Sequence, residues 1–208
     1  MSNARTATRA ALGARAHSGW AILVAVAGSA RFIRVLDRRR ISLADPAVPG
    51  FPQPYHAAEP LPLQQAEQLV RRCVEASGRL AEQAFRAAII DLRTKGYEVT
   101  ACGILVRLGR PLPPFAKIIA SHALIHTAEG VMFRDVLRHG AERCGLTVST
   151  TRERDARDHA AEVLGIPASD IQDRIQQLGR ELGPPWREDQ KLATLAAWVA
   201  LQTRRGLP

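Results

Sequence analysis

The chain has 208 residues, 46% hydrophobic and 24% charged, which suits one globular domain with a buried core and is too short for two full ones. Its longest apolar run, "WAILVAVAG", is about half of the ~20 residues that a membrane-spanning helix needs, so neither a transmembrane segment nor a membrane partner is predicted. A formal net charge of +9 points to an anionic partner, nucleic acid first. That charge is almost all arginine, with lysine only at Lys95, Lys117 and Lys191, a bias that a GC-rich genome also produces.

The first sixteen residues, "MSNARTATRAALGARA", carry three arginines and no acid, and lack the apolar stretch of a secretory signal. They read as a disordered basic arm. From His17 to Ser42 the text turns apolar and β-branched, broken at "AGSA", as a β-hairpin requires. "ADPAVPGFPQPYHAAEPLP" then holds six of the thirteen prolines and reads as a loop that keeps Tyr55, His56 and Glu59 in a defined place. Leu63 to Lys95 is a long helix, with Pro62 at its start and Gly96 beyond its end.

"YEVTACGILVRLG" follows as a strand whose apolar middle marks it as covered on both faces. It is predicted to pair with the strand containing Ala21 to Val26 in a central mixed sheet, because both are apolar on both faces. A helix over Phe115–Cys144, a short strand at "LTVST", helices around Asp155–Leu164 and Ser169–Leu182, and a last amphipathic helix over Arg187–Thr203 complete the chain. The three cysteines, Cys73, Cys102 and Cys144, form no CxxC and cannot all pair, which suits a reducing cytoplasm.

Within "ASHALIHTAEG", at about 100° per residue, His122, His126 and Glu129 fall within roughly 60° of one another, with Phe133 among them. Leu124, Ala128 and Val131 point the opposite way and offer a packing face. Two histidines at i, i+4 share the helix face that a metal-binding pair needs. The same spacing also suits a hydrogen-bonded polar stripe without a ligand.

The order of elements resembles the ribonuclease H-like superfamily, and its Holliday-junction resolvase branch in particular. The words that carry the likeness are "HSGWAILVAV", "CGILVRLGRPLPP" and "REDQKLATLAAWVALQ". The resemblance implies an α/β fold: a mixed sheet with an antiparallel hairpin start, then βαβα crossovers, with helices on both faces, as a single domain over residues 17–208. It also implies two divalent metal ions, held by acids on the first strand, at the end of the fourth and on the closing helix, because metal clamps on both oxygens of a phosphodiester need several carboxylates. Here "ALGARAHSG" before Trp20 has no acid, and the end of the "GILVRLGR" strand offers Arg107 and Arg110. Only Glu188 and Asp189 on the closing helix remain.

The leading reading is therefore a nucleic-acid-binding protein of ribonuclease H-like fold, a degenerate or divergent metal-dependent nuclease, in the cytoplasm. Glu129 and Asp189 are the candidate catalytic carboxylates. His17, His56, His122 and His126 are candidate ligands for a divalent transition metal, zinc or manganese, which neutral imidazoles suit better than magnesium. Arg38, Arg39, Arg40, Arg107 and Arg110 are candidate nucleic-acid contacts. Each has a plainer reading: "RRR" as a solvated strand edge, with no aromatic residues interleaved for stacking, and Glu188 and Asp189 as acids favoured by a helix dipole. Two other functions stay open. One is a small-molecule hydrolase or other metal-dependent enzyme, with Glu129 or a histidine as base and Arg107 or Arg134 holding an anion; the other is a structural protein without catalysis.

Overall fold

The computed structural model describes residues 7–107 and 111–203. Three strands open the chain: β1 (Thr8–His17), β2 (Trp20–Gly28) and β3 (Ile33–Ser42). The short helix α1 (Pro54–Ala58) and the long helix α2 (Leu63–Thr94) lead to β4 (Tyr97–Val106). Next come α3 (Phe115–Ile119), α4 (His122–Arg143) and β5 (Thr147–Arg152), then α5 (Ala156–Leu164), α6 (Ala168–Leu182) and the closing α7 (Glu188–Gln202). The five strands form one mixed sheet in the order β3-β2-β1-β4-β5. The hairpin pairs are antiparallel, while β1 with β4 and β4 with β5 run parallel.

The expected arm is corrected here. Residues 8–16 are not disordered: they belong to β1, the middle strand of the sheet. Residues 1–6 of that arm lie outside the described residues. The strands holding Ala21–Val26 and Ile104–Val106 share the sheet but do not pair as expected: β1 lies between them and pairs with both.

Strand β1 resists recognition because its alternation is among small residues. Ala11 faces the layer of α5, α6 and α7, while Leu12 and Ala14 face α2 and α4. Trp198 of α7 is completely buried on the first face, where its indole N–H donates to the carbonyl of Ser29 at 3.0 Å. Phe85 of α2 and Phe133 of α4 fill the second face. Burying each such side chain contributes roughly 1.5–3 kcal/mol, so the two layers fix the sheet from both sides.

The helix expected over Phe115–Cys144 is two helices. Ser121 takes an extended backbone between them, which makes His122 the first residue of α4. The buried stripe of α4 runs through Ile125, Ala128, Glu129, Met132, Phe133 and Val136, so Glu129 lies inside, not on the open front with His122 and His126. The proline-rich segment also departs from a plain loop, since Pro54–Ala58 turns once as α1 and carries His56.

Candidate functional site

The parallel strands deliver their carboxyl ends to one edge of the sheet, and polar side chains from four elements meet there. Arg15, near the end of β1, donates from Nε to Glu153 at 3.0 Å and from its other arm to Asp189 at the start of α7. Arg107, just past β4, donates to the second oxygen of Glu153 at 2.9 Å. His17 Nε2 lies 2.9 Å from the same Asp189 oxygen, and its ring stacks on Trp20 at 4.1 Å. A carboxylate only accepts, so His17 donates to Asp189.

The electrostatics follow from this wiring. Burial disfavours the Arg15 charge, but Glu153 and Asp189 outweigh it and hold the guanidinium pKa above its ordinary value. Burial likewise raises Glu153, yet its hydrogen bonds from Arg15 and Arg107 win and leave it below the usual carboxylate range. Arg134, half-buried on α4, feels Glu153 and Arg107 but forms no ion pair among the described residues; burial pulls its pKa down. An open cleft of about 490 Å³ lies over the network, with Arg15, Arg107, Arg152, Arg154, Glu153 and Glu188 in its walls.

The second cluster sits where α1 meets the start of α4. His56 Nδ1 lies 2.9 Å from Oε1 of Glu129, and the backbone N–H of His56 donates to the same oxygen at 3.3 Å. Glu129 is only 2% exposed, so these bonds satisfy a carboxylate that water does not reach. His122 and His126 approach through their Nε2 atoms at 3.2 Å, and Nδ1 of His122 faces Glu59 at 4.0 Å. One ligand atom from each of His56, His122 and His126 lies within 4.8 Å of the others.

The structure thus divides the residues singled out in the sequence. His56, His122, His126 and Glu129 come together. His17 and Asp189 do not join them; they belong to the arginine network at the sheet end. Glu188 pairs with Arg157 at 3.4 Å.

Among the arginines, Arg38 is not available to a ligand: its guanidinium donates to the carbonyls of Leu182, Gly183, Pro184 and Pro185 at the end of α6. Arg39 is paired with Asp37 and Asp91, and Arg40 lies over the Trp20 ring at 4.4 Å on the edge strand. Arg107 does reach the cleft, while Arg110 lies outside the described residues. Arg15 and Glu153 carried no sequence signal of their own; only the neighbouring positions of β1, β5 and α7 expose their role.

A mixed five-stranded sheet, with helices on both sides and a closing helix against its central strand, is the ribonuclease H-like α/β fold. Among solved structures, the chain is similar to Thermus thermophilus RuvC in complex with Holliday junction substrate, with a TM-score of 0.50 and 12% identity over 92% of this chain and 91% of that one. The Thermus thermophilus RuvC structure is similar at a TM-score of 0.49 and 10% identity, over 91% of this chain and 92% of that one. No family model and no curated protein matches the sequence. Among the described residues, no helix is long and apolar enough to cross a membrane.

The residues at the strand ends do not fit the carboxylate-held pair of divalent ions that this fold implies. The ends of β1 and β4 carry Arg15 and Arg107, and Glu153 and Asp189 already accept from guanidinium groups. Glu153 has both oxygens on arginine and Asp189 keeps only Oδ2 without a partner among the described residues, so a pair of divalent ions would find too few carboxylate oxygens and two guanidinium charges beside them.

Proposed function

We propose that this chain binds the phosphate backbone of nucleic acid through the arginine-lined cleft at the sheet end, and that its phosphodiester-cleaving centre is degenerate. The observation that carries this reading is Arg15, a cation on the central strand between Glu153 and Asp189. Two-metal cleavage draws on several carboxylates with open lone pairs, whereas here both oxygens of Glu153 and one of Asp189 accept from arginine. The cations open to a ligand there include Arg107, held by Glu153 through Nε but 71% exposed, and Arg154, whose side chain is 78% exposed in the same cleft wall. Guanidinium groups bind phosphate oxygens in paired, planar geometry, which suits backbone contact without a reading of base sequence.

The RuvC of similar fold was solved with a Holliday junction substrate, so a four-way junction is the first polymer to test, beside duplex and single strands. Binding is measured by fluorescence anisotropy over a range of salt. The expected log K falls linearly with log salt, by about 0.9 per phosphate neutralised, and Arg107→Gln and Arg154→Gln each lower that slope by about one. Magnesium or manganese yields no cleavage. Absence of binding to all three polymers at low salt removes the reading. Cleavage that vanishes in Asp189→Asn would return the carboxylates to catalysis.

A further inference from the structure

We infer that His56, His122 and His126 form a zinc-class transition-metal site, with Glu129 as the carboxylate that orients His56. This site is separate from the arginine cleft and does not depend on the nucleic-acid reading. The fold's usual chemistry does not supply it, because its donors are imidazoles from α1 and α4 and not carboxylates at the strand ends.

The geometry argues for it in three steps. Glu129 accepts at His56 Nδ1, so that nitrogen carries the proton and Nε2 presents its lone pair outward. A buried carboxylate behind a histidine is the arrangement that fixes a metal-binding ring and raises its basicity. At the same place His122 and His126 bring Nε2 to Nε2 at 3.2 Å. Without an ion one ring donates N–H to the other across that distance, and the same spacing is close to what a tetrahedral ion sets, since Zn–N bonds of about 2.0–2.1 Å put its nitrogens about 3.3–3.4 Å apart.

Glu59, facing His122 Nδ1 at 4.0 Å, favours the same tautomer on the second ring. The exposed side of His122 and His126 leaves a coordination position to solvent, so the site is a three-histidine centre with an open face.

The test uses the full chain, stripped with chelator and titrated with zinc alone, then with cobalt(II) as a spectroscopic probe. One ion per chain is expected, with the visible absorption of tetrahedral cobalt. His122→Ala and His126→Ala each weaken zinc affinity at least tenfold; both side chains are exposed, so neither change disturbs the core. Glu129→Gln weakens it about 10- to 100-fold through the ring it holds. His17→Ala and His139→Ala leave affinity unchanged. Zinc also raises the melting temperature of the wild type but not of His126→Ala, which checks that the variant is folded and only the ligand is missing. Wild-type protein that takes up no stoichiometric zinc, full affinity in both His122→Ala and His126→Ala, or weakened affinity in His17→Ala would each overturn the site.

Discussion

Gly13 of β1 and Gly103 of β4 are register partners, and the backbone of α7 lies directly against both. A Cβ at position 13 would stand 1.9 Å from the carbonyl oxygen of Ala193, and one at position 103 would stand 2.1 Å from that of Ala196. The closing helix approaches the sheet at a distance that no side chain permits. That approach carries Asp189, at the first turn of α7, to Arg15 near the end of β1.

Gly13→Ala and Gly103→Ala are therefore expected to destabilise severely. Overpacking costs about 1–3 kcal/mol where side chains can yield, and here backbone atoms obstruct, so a loss of at least about 3 kcal/mol follows. Gly78 of α2 is the control: nothing lies within 4 Å of its would-be Cβ, and Gly78→Ala should stabilise by about 0.5–1 kcal/mol. Urea unfolding reads both effects. A wild-type midpoint for Gly13→Ala would contradict the packing.

Acid should act on the Arg15–Glu153–Arg107 network. Glu153 has a folded-state pKa below its unfolded value, so it contributes stability at and above the unfolded carboxylate range. That contribution is lost as pH falls through the depressed folded value. Glu153→Gln should lower stability at neutral pH and make the acid limb of the stability profile shallower. Denaturation curves from neutral pH down to pH ~2 measure it, and an acid limb unchanged from wild type would remove Glu153 from the network's energetics.

Arg38 should matter to stability and not to ligand binding. Its guanidinium reaches the carbonyls of residues 182–185 at 2.6–3.2 Å, where the end of a helix favours a cation. Hydrogen bonds to charged groups are worth about 1.5–3 kcal/mol, so Arg38→Ala should cost at least about 2 kcal/mol. Lysine cannot restore the planar fork and should rescue only part of it. The salt slope of nucleic-acid binding should stay at the wild-type value; a flatter slope in folded Arg38→Ala would place Arg38 among the phosphate-binding residues.

Local signals made much of the fold readable. The hairpin turn at residues 29–32, the length of α2 between Pro62 and Gly96, and the apolar middle of β4 are set by residues close together in sequence. The same holds for the i, i+4 approach of His122 and His126, which one helix brings face to face. His56 joins them only because α1 folds onto α4 and is pinned there by Glu129, across 73 positions of sequence.

What the sequence by itself determined is most of the elements from β2 onward, because periodicity, proline and glycine act over a few residues. Tertiary structure alone decided that "TRAALGARAH" is the central strand: its alanines and glycine lack the β-branched pattern of a strand and make sense only beneath a helix packed to backbone distance. It also decided the company each charge keeps. Arg15 meets Glu153 and Asp189 across 138 and 174 positions, and Arg38 meets the end of α6 across about the same span. A charged side chain's role is set by what stands within a few ångströms of it, and for these residues the neighbours come from the far end of the chain.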